Sequence, residues 1–256
     1  MDRRAGGCTS VRDCCYHLVD MRLYQLAIAC QVYASFEGEL DESLALFREL
    51  TQRPFDFDSD RLGSALMRWL NEWGCRQFKK EDHGVAVGNL RLWASDNVGL
   101  LPPASTSILE LAEPDFRRAA NAYDALTRIQ ACERQRSGRS VPVGFGPTGA
   151  AKVLFVLRPD SLPPWDEAIR DHFHLDGSAE SYAEFLRLAA SDLSGVVMDA
   201  AHYGIDLAAL PSEICRSGST LPKLIDEYYW VKFTRRFQVP EEPQVRRWAE
   251  WSAGNR

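Results

Sequence analysis

The chain has 256 residues, of which 45% are hydrophobic and 26% are charged, and its formal net charge is −6. This length and composition are typical of a globular protein with a substantial core, and they exclude a disordered or fibrous chain. No apolar run approaches the roughly 20 residues of a membrane span, and the first residues lack a hydrophobic signal core. We therefore expect a cytoplasmic protein with no membrane partner.

The cysteines predict neither a disulfide framework nor a metal site. There are seven of them, an odd number scattered along the chain, which favours reduced thiols. Cys8, Cys14 and Cys15 lie near His17, but their spacing matches no paired zinc-binding pattern. We expect no metal and no cofactor.

Residues 1–18 are polar and contain glycine, so a flexible or loosely docked tail is expected there. Beyond them, apolar residues recur at helical spacing, and no segment alternates convincingly at period two. Predicted helices cover about 21–36, 41–50, 58–73, 84–97, 115–135, 149–157, 166–173, 178–203, 221–237 and 246–251. The sequence therefore predicts an all-α fold over 19–256, as one domain or as two lobes, about 19–113 and 114–256, with a cleft between them.

The centre of the chain combines a glycine turn, one lysine in an apolar run and an aspartate after a proline-rich turn. Gly144 and Gly146 permit a tight turn with positive φ, and Thr148 is a candidate helix cap. Lys152 follows among apolar residues near a helix start, and both conditions favour the neutral amine, which is the nucleophilic form. Alternatively, the stem of Lys152 packs on the core while its ammonium reaches solvent or pairs with Asp166.

This order of Gly144-Phe145-Gly146, a helix bearing Lys152, a turn and Asp166 resembles the helix-hairpin-helix DNA glycosylases, the superfamily of endonuclease III and the oxoguanine glycosylases. The resemblance implies a helix-hairpin-helix, glycosylase-like helical bundle. It also implies that Gly144, Gly146 and Thr148 bind a DNA phosphate, that Lys152 attacks the sugar, and that Asp166 assists. A helix N-terminus is in general a suitable anion site.

Further residues are candidates for contacting DNA. In the resembled fold, Tyr123 would line the cleft and Trp165 would lie beside Asp166, so both are candidates to contact a flipped base. Arg134, Arg136 and Arg139 belong to a locally basic window before the glycine turn and are candidates for contacts with the DNA backbone. The alternative for this window is a solvated helix end and loop.

The resemblance implies a DNA glycosylase, with or without lyase activity, that flips a damaged or modified base and cleaves its N-glycosidic bond. Oxidised guanine is the commonest substrate of the lysine-bearing relatives. Two alternatives stay open. One is a non-catalytic helix-hairpin-helix module that binds nucleic acid or protein, which is favoured by the acidic net charge and by the position of Lys152, about one helical turn later than in the family. The other is a glycosidase acting on RNA or free nucleotides in bacterial defence.

Overall fold

The structure, a computed structural model, describes residues 21–51 and 55–254. The predicted tail and its cysteines lie outside these residues. The described chain is mostly helical, with one two-stranded sheet. The helices are α1 Leu23–Thr51, α2 Asp60–Glu72, α3 His83–Asn97, α4 Glu113–Arg128, α5 Gly146–Leu157, α6 Glu167–His172, α7 Ala179–His202, α8 Leu210–Glu213, α9 Leu221–Tyr229 and α10 Glu242–Gly254. Short 3₁₀ turns cover Lys80–Asp82, Val98–Leu100 and Ile108–Glu110, and a π-helical turn covers Trp230–Thr234.

Several predicted helices are confirmed because capping residues and apolar stripes agree in the sequence. Ser178 caps α7 by accepting a hydrogen bond from the amide of Ser181 at 3.2 Å. Ser59 caps α2 in the same way. The helices predicted over 21–36 and 41–50 form one run, α1, with a kink at Glu37, whose φ is −126° and ψ is 29°.

The mostly helical chain agrees with the predicted all-α class, but the helix predicted over 115–135 is wrong in its last part. Helix α4 ends at Arg128, and the chain then forms an antiparallel hairpin of β1 Gln130–Arg136 and β2 Arg139–Gly144. Ser137 and Gly138 make the turn with φ values of 50° and 76°. Most of the hairpin is exposed, so no apolar alternation indicates the strands in the sequence.

The buried side chains form one continuous core that extends from Met21 to Phe233. Helix α1 packs against α2, but also against α7 and α9 from the C-terminal half. Helix α4 packs against α5 and α7. Described residues before and after position 113 therefore contribute to the same core. In the described part of the chain, no helix is both long enough and apolar enough to cross a membrane.

Candidate functional site

A cavity of about 610 Å³ lies where α1, the end of α2, α5, the start of α6 and the end of α9 meet. Lys152 and Asp166 both line it, although the two residues belong to different elements. Four aromatic side chains contribute to its wall: Tyr33, Trp73, Trp165 and Trp230. The structure therefore places the predicted lysine and aspartate at one site.

The glycine turn that leads into α5 is held by neighbouring backbone. Gly146 has a φ of +68°, as predicted, but Gly144 does not need positive φ. Gly144 ends β2, and a Cβ atom there would lie only 2.6 Å from the carbonyl oxygen of Thr127. Between the two glycines, the amide of Phe145 donates to the carbonyl of Ile129 at 3.0 Å. Close approach at Gly144 and backbone conformation at Gly146 thus require glycine for different reasons.

Thr148 does not cap α5, because the helix begins earlier, with Phe145 at the N-cap position. The Thr148 hydroxyl lines the cavity and accepts a hydrogen bond from Arg170 Nη1 at 3.1 Å. Arg170 also stacks over the Trp165 ring at 5.4 Å. Thr148 therefore links α5 to α6 at the cavity wall, and phosphate binding by Gly144, Gly146 and Thr148 stays a prediction.

Lys152 lies one turn after Thr148 on α5, so both face the cavity. Its ammonium donates a hydrogen bond to the carbonyl oxygen of Trp73, just after the end of α2. The same ammonium lies 5.7 Å from the centre of the Trp73 ring. The lysine therefore neither points away into solvent nor forms an ion pair with Asp166 in the structure.

Asp166 occupies the N-cap position of α6 and is fixed at both oxygens. Its Oδ1 accepts from the amide of Ile169 at 2.9 Å, which satisfies one of the free amides of the helix start. Its Oδ2 accepts from the hydroxyl of Thr234 at 2.7 Å. Thr234 belongs to the π-helical turn and also lines the cavity. The carboxylate thus has a defined orientation before any ligand binds.

Carboxylates outnumber cations in the cavity wall. The carboxylates are Glu37, Glu72, Asp166, Glu167 and Asp226, and the cations are Arg76, Lys152 and Arg235. Arg235 and Glu37 neutralise each other through an ion pair at 2.6 Å. The remaining excess of negative charge favours a neutral or cationic ligand group inside the cavity and disfavours phosphate there.

Asp226 on α9 is the most perturbed carboxyl of the cavity. Burial raises the pKa of Asp226 from 3.8 to about 6, although the positive charges of Lys223 and Lys152 act in the opposite direction. Its side chain is only 14% exposed and lies 3.5 Å from Lys223 Nζ. A carboxyl with a pKa close to neutrality can hold or release a proton under ordinary conditions.

A buried ion cluster lies behind Asp226. Lys223 Nζ is 3.2 Å from Glu227 Oε1 and 3.9 Å from the centre of the Tyr33 ring. Arg216 binds Glu227 at 2.5 Å and Asp41 at 2.6 Å. Burial opposes the charge on Arg216, but its hydrogen bonds to these carboxylates outweigh burial and raise the guanidinium pKa. The cluster supports the cavity wall formed by Tyr33 and Asp226.

The two aromatic residues predicted to contact a base differ in position. Trp165 lines the cavity, with its side chain almost wholly buried. Tyr123 lies outside the cavity wall, fully buried and stacked on Tyr182 at 4.1 Å, and its hydroxyl donates to the carbonyl of Gly177. Tyr123 is therefore placed to support Trp165, whose ring centre is 5.9 Å away, and not to contact a ligand.

Arg134, Arg136 and Arg139 all lie on the hairpin and are exposed to solvent. Arg136 and Arg139 face each other across the strands next to the turn. None of the three makes an ion pair with a residue of the described chain. The hairpin therefore presents an uncompensated positive charge.

Sequence analysis did not identify Trp73, Asp226, Trp230 and Thr234 as cavity residues. Trp230 follows Tyr228 and Tyr229 in the chain, but only the two tyrosines are fully buried. The available signal in the sequence was that Asp226 lies four residues before Trp230, because residues at this spacing share a helix face.

Among the described residues, no group of three or more histidine, cysteine, aspartate or glutamate side chains could hold a metal ion. Comparison of the chain with protein-family models, with curated proteins and with solved structures gives no match.

Proposed function

We propose that this protein is a DNA glycosylase that removes a damaged or modified base by attack of Lys152 on the sugar. One observation carries this proposal: Lys152 and Asp166 line one cavity with aromatic walls. The proposal follows the resemblance to the helix-hairpin-helix glycosylases, in which a lysine and an aspartate have these roles. A base with a neutral or cationic edge also suits the acidic cavity wall.

The proposed reaction begins when Lys152 loses a proton to solvent and its neutral amine attacks C1′ of the nucleotide. The bond between C1′ and the base breaks, the base leaves with the bonding electrons, and it takes a proton from the lysine nitrogen. Asp166 stabilises the positive charge that develops on the sugar as this bond breaks. Protonation of the ring oxygen then opens the sugar and leaves a Schiff base between C1′ and Lys152, from which the 3′ phosphate can be eliminated.

The aromatic wall supports entry of a base. Removing a base from the stack costs a few kcal/mol, and stacking on an aromatic side chain returns about 1–3 kcal/mol per base. Trp73, Trp165 and Trp230 all line the cavity, and Trp230 keeps the most accessible surface for a planar ligand, since Trp73 and Trp165 are 6% and 1% exposed.

Borohydride trapping on oligonucleotides with an abasic site or oxidised guanine tests the proposal. Borohydride reduces the Schiff base to a stable amine, so the wild-type protein should form a covalent adduct. Lys152→Gln should abolish the adduct, because an amide cannot form a Schiff base, while its N–H can still donate to Trp73. Asp166→Asn should slow base release and leave DNA binding intact.

The matched control is Lys232→Gln. Lys232 is also half-buried, but it lies outside this cavity and binds the Tyr228 hydroxyl at 3.0 Å. This variant should form the adduct as the wild type does. An adduct that persists in Lys152→Gln would contradict the assignment of the nucleophile.

The hydrogen bond from Lys152 to the Trp73 carbonyl favours a second candidate, a binding module without catalysis. In that case the lysine ties α5 to the end of α2, and the cavity only holds its ligand. A wild-type protein that binds the same oligonucleotides but releases no base and forms no adduct would support this candidate over the first.

A further inference from the structure

A second concave surface of about 530 Å³ lies between α2, the residues after it and the start of α3. We call it the basic groove, and its charged lining consists of Arg61, Arg68, Lys79 and Lys80. His83 also lines it, and no carboxylate does. Its charge is thus opposite in sign to that of the cavity.

Local structure explains why these cations converge. Arg61 and Arg68 are seven residues apart on α2 and therefore lie on one helix face. Asn71 brings the following residues back to this face, because it accepts from the amide of Phe78 at 3.1 Å and donates to the carbonyl of the same residue. Lys79 and Lys80 come immediately afterwards.

The positive charge of the basic groove is uncompensated. None of its four cations makes an ion pair with a residue of the described chain, and all four are exposed. Nearby Arg91 differs, because it pairs with Asp60 at 3.0 Å. Glu81 and Asp82, which follow Lys80 in the chain, do not line the groove. Four cations without an ion-pair partner in the described chain form a suitable anion-binding surface.

The basic groove and the cavity share one connecting segment. Trp73, Gly74 and Arg76 line the cavity, and Phe78, Lys79 and Lys80, a few residues on, line the groove. Gln77, between them, donates to the carbonyl of Phe145 at 2.8 Å and so anchors the segment to the turn before α5. The cavity and the groove are therefore bounded by the same short segment of the chain.

We propose that the basic groove binds the phosphodiester backbone of the nucleic acid whose base enters the cavity. The identity of this partner rests on the proposed function. The division of charge matches a nucleotide strand, since a base without negative charge suits the acidic cavity and the phosphates suit the cationic groove. Phosphate contacts of this kind contribute most of the salt-dependent affinity for nucleic acid.

The test is the salt dependence of binding to a fluorescent duplex oligonucleotide, followed by anisotropy from low to moderate salt. For duplex DNA the slope of log K against log salt changes by about 0.9 for each lost phosphate contact. Arg61→Gln/Arg68→Gln should therefore reduce the slope by about 1.8. Lys79→Gln/Lys80→Gln, on a different element, should have a similar effect.

The matched control is Arg117→Gln/Arg118→Gln on α4. These two exposed arginines already pair with Glu113 and Asp115, so the slope should stay at the wild-type value. All the substituted side chains are exposed, and thermal unfolding verifies that each variant is folded.

The outcomes separate the groove from the proposed catalysis. Reduced slopes without any borohydride adduct from the wild type would retain the groove and remove the glycosylase proposal. An adduct together with unchanged slopes in both groove variants would retain the glycosylase proposal and remove the groove assignment. A wild-type protein that does not bind the duplex overturns the groove assignment.

Discussion

The carboxylate of Asp166 is positioned by groups that lie far apart in the sequence. One oxygen caps α6 at the amide of Ile169, and the other accepts from Thr234, in the π-helical turn after α9. An ionised carboxylate has acceptor capacity beyond these two bonds, so it can still face a substrate. Single π-helical turns occur frequently at functional sites. Thr234 is therefore a positioning residue for Asp166.

Thr234→Val tests this role, because valine keeps the shape of threonine but lacks the hydroxyl. A hydrogen bond to a charged group contributes about 1.5–3 kcal/mol, so kcat for base release should fall by roughly 10- to 100-fold. KM should change little. Thr234→Ser, which restores the hydroxyl, should recover most of kcat in single-turnover assays. Equal kcat in the valine and serine variants would contradict a positioning role.

Asp226 predicts a pH-dependent contribution to stability. Its pKa is raised from the ordinary 3.8 to about 6, chiefly by burial. The folded state thus binds the proton more tightly than the unfolded state, and the protein loses stability as pH rises from about 4 through about 6. Asp226→Asn removes this loss, so the variant should gain stability relative to wild type across that range.

Urea denaturation at several pH values between 4 and 7 measures the difference between Asp226→Asn and wild type. Asp96→Asn, at an exposed position on α3, controls for the general effect of losing a carboxylate. If the stability difference between Asp226→Asn and wild type is constant from pH 4 to 7, or if the variant becomes relatively less stable as pH rises, the result would be inconsistent with the raised pKa.

At the scale of elements, sequence patterns predicted helices well and missed the hairpin. The limits of α7 could be predicted within a residue because Ser178 and a long apolar stripe act together. Strands β1 and β2 have few buried residues, so hydrophobic periodicity carries no signal for them. The dipeptide Ser137-Gly138 was the one available sign, since Ser-Gly marks turns and both residues adopt positive φ.

The hairpin places Arg136 directly opposite Arg139, where like charges destabilise a strand pair. Arg139→Glu should turn this repulsion into a cross-strand ion pair and stabilise the protein by about 0.2–1 kcal/mol. The same change should weaken DNA binding if the hairpin contacts phosphates. Chemical denaturation and anisotropy measure the two effects.

Arg139→Gln is the matched control, because it removes the repulsion without adding an attraction, and it should be intermediate in both measurements. A glutamate variant that is more stable but binds DNA as the wild type does would mean that the hairpin arginines are a solvated surface.

At the scale of the whole molecule, only part of the cavity could be predicted from the amino-acid sequence. Lys152 and Asp166 are joined by one short helix-turn-helix segment, so glycines and prolines along the chain were enough to place them together. Asp226 and Thr234 reach the cavity because α9 packs against α1 and the π-helical turn packs against α1 and α6. These contacts depend on the tertiary arrangement of the helices, which periodicity in any one helix does not determine.

The ion cluster behind the cavity connects α1 with α9 and with the segment before α9. Arg216, between α8 and α9, binds Asp41 on α1 and Glu227 on α9. The Glu227 side chain is 0% exposed, so it depends on these cations to compensate its lost hydration. The cluster therefore couples the packing of α1 and α9 to the cavity wall that they form.

Arg216→Met should consequently destabilise the whole protein and not one loop. Removing one partner of a buried ion pair costs about 3–5 kcal/mol, and Lys223, 3.2 Å from Glu227, should keep the loss near the lower limit. Urea denaturation measures the change.

The control is Arg246→Met. Arg246 and Glu242 form an ion pair whose side chains are 69% and 55% exposed, so the loss of stability there should stay below about 1 kcal/mol. Equal losses in the two variants would mean that the cluster does not hold α1 and α9 together.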